Sequence, residues 1–244
     1  MKKAMLLLPL LLSSTVHAER LWSDASLSYL QGSDYEAGDP DRQVYTLELA
    51  TGHSWGDSFS FVDRLLSKNG DRETYFEIGL RYKLEKLIGK KMQYGVISDI
   101  SLAAQWESLA IVTGGFANAF DHYLYGVSLD WKILGFKYFK STFYYRNRET
   151  GDNNEQLTLA WALPFNVGSA NFVFDGFMDY STNIGGDSKN SMNFTPQLKY
   201  DLGDGIGIGE KQLYLGVEYV YWQNKFNVDS FDESNPNFLL KWHF

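Results

Sequence analysis

Lys211–Asn224 reads KQLYLGVEYVYWQN. Leu213, Leu215, Val217, Tyr219 and Tyr221 share one parity, and Tyr214, Gly216, Glu218, Val220 and Trp222 share the other. Successive side chains of a strand point to opposite faces, so the stretch is a strand with one apolar face and one mixed face. A helix would need apolar residues three and four apart, and the stretch lacks them. The same period recurs on both sides. Phe238, Leu240, Trp242 and Phe244 alternate with Asn237, Leu239, Lys241 and His243. Thr74, Phe76, Ile78, Leu80 and Tyr82 alternate with Glu73, Tyr75, Glu77, Gly79, Arg81 and Lys83. Counting on this period predicts twelve strands, near 22–31, 43–52, 57–65, 73–84, 92–106, 122–133, 136–147, 155–163, 170–180, 191–202, 211–224 and 236–244.

Composition narrows the function classes. The 244 residues are 16% aromatic, hold no cysteine and carry a net charge of -8, with a mean hydropathy of -0.29. That aromatic content excludes a disordered chain. The lack of cysteine removes disulfide scaffolds and thiolate metal sites. The acidic balance argues against nucleic acid, whose phosphates call for a basic patch. Many aromatics with a negative hydropathy fit together only if each apolar residue is matched by a polar one, as the alternation does.

Lys2 and Lys3, the apolar run Ala4–Leu12 and the Val16-His17-Ala18 site together read as a secretory signal peptide over 1–18. A single transmembrane β-barrel domain is then expected over 19–244. The uncharged stretch Gln156–Phe174 is long enough for a spanning helix, but Pro164, Asn166, Gly168 and Asn171 make it two strands and a turn.

Connections after odd-numbered strands are expected to be long and acidic, among them Glu107–Asp121, and those after even-numbered strands mostly short. This layout predicts an all-β fold, a membrane-spanning antiparallel up-and-down barrel of about twelve strands. The even count puts both termini on the short-turn side, the periplasmic side of a Gram-negative outer membrane. The rival is a soluble barrel with its apolar face inward. Three features favour the inverted barrel. Tyr and Trp sit on the apolar face near strand ends (Trp106, Tyr123, Trp131, Trp161, Tyr180, Tyr221, Trp242), as lipid-interface girdles require. The strands are long enough for a tilted span. The apolar alternation ending on Phe244 is similar to the signal read by the barrel-assembly machinery.

Such a barrel carries its chemistry on the inner face. About eight strands are filled by side chains and sixteen leave a wide pore, so twelve imply a narrow channel. The inward candidates are Asp24, Glu48, Tyr75, Glu77, Arg81, Asp99, Lys140, Tyr144, Arg146, Asp175, Phe177, Asp179, Glu218 and Trp222, with Asp130, Lys132, Tyr138, Lys199, Tyr214 and Lys241 on the same parity. Aromatic rings stack on flat bases, and the ionisable groups hydrogen-bond ribose and base edges. A narrow wet barrel also carries paired inward charges merely to fill its lumen, and for any single residue that reading has the greater weight.

Other motifs carry less. Gly203–Gly209 does not fit G-x-G-x-x-G and precedes a strand, so it reads as a turn. His53, His122 and His243 are not spaced for a metal. A barrel phospholipase would need Ser, His and an orienting Asn or Asp on the outward face, for which His122 with Asp121 is the sole candidate pair. The loop acids Asp34, Glu36, Asp39, Asp41, Asp229, Asp232 and Glu233 read as solvated charge rather than a cation site against lipopolysaccharide. No cofactor and no catalysed reaction are expected.

Several stretches together resemble the nucleoside-specific channel-forming (Tsx-like) outer-membrane porins, including the OmpK-type proteins. They are Trp22-Ser23-Asp24 with Tyr29-Leu30 and Gly32; Gly56-Asp57-Ser58-Phe59 running into Phe61-Val62-Asp63-Arg64-Leu65; Tyr123-Leu124-Tyr125-Gly126 with Asp130-Trp131; Phe143-Tyr144-Tyr145-Arg146-Asn147; Phe174-Asp175-Gly176-Phe177 with Asp179; and Gly216-Val217-Glu218-Tyr219 with Tyr221-Trp222 and Asn224-Lys225-Phe226. The resemblance implies a narrow twelve-stranded barrel that passes nucleosides and, in several relatives, serves as a phage receptor; a monomer working without energy coupling is the reading adopted. Leu109–Phe120 and Gly203–Gly209 depart from the pattern. The alternatives are a general narrow porin or a surface receptor barrel without nucleoside selectivity.

Overall fold

Twelve strands close on themselves in the computed structural model, which describes residues 19–113 and 116–244. The expected signal peptide, 1–18, lies outside the described residues. The strands are β1 (Arg20–Gly32), β2 (Arg42–His53), β3 (Gly56–Ser67), β4 (Arg72–Lys83), β5 (Ile97–Thr113), β6 (Phe116–Trp131), β7 (Tyr138–Arg148), β8 (Asn154–Val167), β9 (Ala170–Ser181), β10 (Ser191–Asp201), β11 (Leu213–Gln223) and β12 (Glu233–His243). Each pairs antiparallel with its sequence neighbours, and β1 closes the barrel on β12 through Ser26 opposite His243 and Leu30 opposite Leu239. Closure gives every strand a hydrogen-bonded neighbour on both sides over its middle. The rim where β1 begins and β12 ends is called proximal below, and the other rim distal.

Burial is inverted relative to a soluble barrel. The buried side chains include Ser26, Ser28, Glu107, His122, Asn235 and Asn237, whereas Leu27, Leu47, Leu80, Leu102, Val127, Leu198 and Val217 are exposed. All seven of those apolar residues point outward in the strand register. Aromatics flank them on the same face. Tyr45, Trp106, Tyr123, Tyr145, Tyr180 and Tyr221 lie toward the distal rim; Tyr82, Trp131, Phe139, Phe172, Tyr200 and Trp242 lie toward the proximal rim. An apolar band between two aromatic girdles is the surface of a membrane-spanning barrel. Among the described residues no helix is long and apolar enough to cross a membrane.

Trp161 shows how the outer face is kept smooth. It is paired opposite Gly176, whose φ of 144° is open to glycine only. The indole stacks on Phe194 at 5.7 Å and is only 6% exposed. The large ring covers the gap left where the glycine has no side chain.

The connections depart from the expected alternation. Glu107–Asp121 is not a loop: β5 and β6 run on to Thr113 and Phe116, which pair directly. Leu109 and Ile111 keep the inward parity of β5, opposite Phe120 and Asn118. Apolar residues on both parities hid the strand period there. Two proximal connections are long: residues 84–96 hold helix α1 (Leu84–Ile88), and 202–212 hold the one-turn helix α2 (Leu202–Gly205) inside the expected glycine turn. Connection length therefore does not separate the two rims. β8 runs past Pro164 to Val167, so the expected turn shrinks to Gly168-Ser169. Proline fits there because β7 pairs with β8 only as far as Tyr138 opposite Ala162, leaving one side of the ladder open.

Candidate functional site: the inner wall

Antiparallel partners share a face, so one inward residue fixes its neighbours around the barrel. Arg81 is such an anchor. Asp57 stands opposite it on β3, and the two form a two-pronged ion pair. Arg81 Nη1 also donates to Asp130 Oδ1 at 2.9 Å and to Ser128 Oγ at 3.1 Å. Lys140 Nζ reaches Asp57 at 3.4 Å, completing a network from β3, β4, β6 and β7 near the proximal rim.

From this register all fourteen sequence-derived candidates face the lumen. Near the proximal rim, Asp24 meets His243 Nδ1 at 2.8 Å, Lys83 meets Asp99 at 2.9 Å and Lys199 meets Asp175 at 2.6 Å. Glu48 is paired with Lys241 and accepts from Ser26 Oγ at 2.8 Å. At mid-height Tyr75 OH donates to Glu77, Gln105 Nε2 donates to Glu77 at 3.0 Å, and Tyr144 OH donates to Gln105 at 3.3 Å. Asp179 accepts from Thr158 and Gln156; Glu218 accepts from Gln197 at 2.7 Å. Phe177 is paired between Ala160 and Thr195 on the same face. Toward the distal rim Arg146 pairs with the buried Glu107. Asp130, Tyr138, Lys199, Tyr214 and Lys241 also face inward, while Lys132 falls just beyond the end of β6.

Trp222 is placed inward, yet its ring is occupied. Phe226 packs edge-on at 5.1 Å and Lys225 Nζ sits 4.7 Å from the ring centroid, so the indole is in contact with the β11–β12 connection.

The register also brings in residues that the period count missed. Phe59 and Phe61 on β3 are opposite Gly79 and Glu77, hence inward. Their rings step toward Tyr75, with centroids 5.9 Å from Phe59 to Phe61 and 5.8 Å from Phe61 to Tyr75. Phe59 is 44% exposed because its neighbours across the ladder, Ala50 and Gly79, have almost no side chain. Asp57, Asp63 and Glu107 join the inner wall by the same register. In FSFVDRLL apolar residues occupy both parities, so only the aspartates 57 and 63, matched to Arg81 and Tyr75 across the ladder, carried the signal.

Two connections fold into the distal mouth. Tyr35, from the β1–β2 connection, packs on the Leu30, Val44 and Leu239 cluster and donates its hydroxyl to Asn237 at 3.0 Å. Its burial pushes the phenol well above its ordinary pKa. In the β11–β12 connection, Lys225 Nζ donates to Glu233 at 2.5 Å, and Glu233 also accepts the Glu36 backbone N–H at 2.9 Å, tying both connections together. Burial lowers the pKa of Lys225 against the pull of Glu233. Asn224, Phe226, Asn227 and Ser230 all have positive φ, a left-handed backbone costing about 1–3 kcal/mol per residue that the surrounding contacts must hold. Lys225→Ala leaves Glu233 without its cation. Limited proteolysis of the folded protein is then expected to cut faster within 224–232, and an unchanged rate would show that the pair secures nothing.

Outside the span, Asp39 is held below the usual carboxylate range by the backbone N–H groups of Asn69 and Asp41. The loop acids there bind their own backbone and Lys68. His122 and Asp121 point to opposite faces: the imidazole is buried inward under Phe120, and the Asp121 carboxylate takes the Trp106 indole N–H on the outside. The pair needed for a hydrolase is therefore not assembled. A basin of about 430 Å³ opens at the proximal rim between Lys83, Lys91, Asp99, Asp130, Tyr138 and Lys140.

Among solved structures, the KdgM porin superposes with a TM-score of 0.51 at 8% identity, covering 91% of this chain and 99% of that one. KdgM in complex with disordered oligogalacturonate gives 0.49 at 8% identity, with the same coverage of each chain. The NanC porin gives 0.47 at 13%, again over 91% and 99%. No protein-family profile and no curated sequence matches the chain, so the Tsx-like resemblance rests on the residues quoted above. The KdgM superposition and the strand order agree on the fold: a closed twelve-stranded antiparallel barrel of the porin type.

Proposed function

We propose that the chain is an outer-membrane channel for passive diffusion of small polar solutes that carry an aromatic ring, nucleosides in particular. The observation that carries this reading is the Phe59–Phe61–Tyr75 ladder, a set of partly bare rings on an otherwise polar inner wall. A filled, purely structural lumen has no use for a phenylalanine left 44% exposed at its inner surface. Carboxylates and amides beside the ladder, Asp63, Glu77 and Gln105, supply acceptors and donors for ribose and base edges. Weak, repeated contacts let a solute enter and leave. The porin fold and the Tsx-like resemblance support the same reading.

In this reading Asp24, Glu48, Tyr75, Glu77, Arg81, Asp99, Lys140, Tyr144, Arg146, Asp175, Phe177, Asp179 and Glu218 line the solute path, and Trp222 serves the distal mouth instead. The channel is a monomer with both termini periplasmic. It is inserted through the assembly machinery's grip on Phe244 and surrounded by lipid and lipopolysaccharide, with its distal connections open to phage.

Liposome swelling tests this. Nucleosides are expected to enter faster than sugars or amino acids of similar mass, and equal rates would leave a general narrow porin. Phe61→Ala is expected to weaken nucleoside half-saturation by about fivefold to a hundredfold, the ~1–3 kcal/mol of one base–aromatic stack. Sugar entry should be unchanged.

A further inference from the structure

The inner wall is not balanced in charge. Within the strands, every lysine and arginine described on this wall has a carboxylate partner, except Arg148 at the distal rim. Besides Asp24, which meets His243, and Asp201, which accepts the backbone N–H groups of Gly203 and Lys211, four carboxylates described on this wall have no lysine or arginine partner. Asp63 accepts from Thr46, Glu77 from Tyr75 and Gln105, Asp179 from Thr158 and Gln156, and Glu218 from Gln197. None of the four is fully buried. They stand on both sides of the barrel: Asp63 on β3 is within electrostatic reach of Glu218 on β11, and Glu77 on β4 of Asp179 on β9.

A second feature lies on the same wall as Asp63 and Glu77. The ring faces of Phe59, Phe61 and Tyr75 carry negative quadrupole potential and attract cations. Rings and unpartnered carboxylates thus act in the same sense on a charged solute. In a narrow lumen with low-dielectric walls such charges raise the barrier to anions and lower it for cations.

We infer that the lumen selects by charge: it passes neutral and cationic ring-bearing solutes and turns back those carrying phosphate or carboxylate. The inference rests on the channel reading above and narrows its substrate class.

Planar bilayers under a KCl gradient read the selectivity directly. The wild-type reversal potential is expected to favour K⁺ over Cl⁻ several-fold. The combined Asp63→Asn, Glu77→Gln, Asp179→Asn and Glu218→Gln variant should lose that preference, read from the reversal potential whatever the size of its conductance steps. These substitutions keep shape and hydrogen-bonding capacity. If the combined variant fails to fold, the pairs Asp63→Asn with Glu218→Gln, and Glu77→Gln with Asp179→Asn, should each remove part of the preference. In liposomes uridine should enter several-fold faster than uridine monophosphate, with the gap narrowing in the variants. A conducting wild type with no preference, or with preference for Cl⁻, overturns the inference, as does equal entry of the two solutes. Selectivity that survives all the neutralisations overturns its assignment to these carboxylates. Absence of any conductance in the wild type sinks the channel reading instead.

Discussion

Arg81→Gln is expected to destabilise the barrel by about 3–5 kcal/mol, the cost of removing one partner from a buried ion network. The guanidinium holds Asp57 through two hydrogen bonds and Asp130 through a third, and its own side chain is 11% exposed. Glutamine fills much of the same volume but leaves two neighbouring carboxylates facing each other, with only Lys140 at 3.4 Å to offset them. Urea unfolding in lipid vesicles, followed by tryptophan fluorescence, measures the loss. Adding Asp57→Asn should recover part of it, because one of the uncompensated charges is then gone. A single variant as stable as the wild type would mean that lumen water solvates the acids well enough without the arginine.

Leu47→Arg is expected to cost about 2–4 kcal/mol in a bilayer, the penalty for a cation on the lipid face near the midplane. Leu47 is outward on β2, between Leu27 and Val62, and 51% exposed. The same change on a soluble barrel would put a charge into water at almost no cost. The measurement therefore reads the solvent on the outer face as well as the strength of the fold. Equal stabilities of wild type and variant in vesicles would contradict a membrane-spanning barrel.

The strands were legible because period 2 survives in any sheet with two unlike faces. Tyr75, Glu77 and Arg81 could be assigned to one wall from their spacing alone, and so could Glu218 and Lys241. The sequence misled where that contrast fades. Leu109–Val112 is apolar on both parities, and Ala117, Ala119 and Phe120 opposite it blur the period further, in a hairpin that rises beyond β7, whose pairing with β6 ends at His122 opposite Arg148. The loops of 84–96 and 202–212 looked shorter because Leu84, Met92, Tyr94, Val96 and Leu202 continue the apolar period past the strand ends. Nothing local announces that Lys225 and Phe226 come against the Trp222 ring.

The amino-acid order by itself determined that this chain forms strands, how many there are, and which side chains share a face. Those properties follow from local geometry, since neighbouring side chains in a strand diverge whatever the partner. Only the tertiary structure decided which face encloses the lumen and which residues meet across it. Alternation reads the same in an inside-out barrel, and inversion becomes visible only when Glu107 and Asn237 are buried while Leu47 is exposed. Likewise Asp57 reaches Arg81, Lys241 reaches Glu48, and Phe61 steps onto Tyr75 through register between strands. Register is set by closing all twelve strands at once, a constraint that no single segment carries.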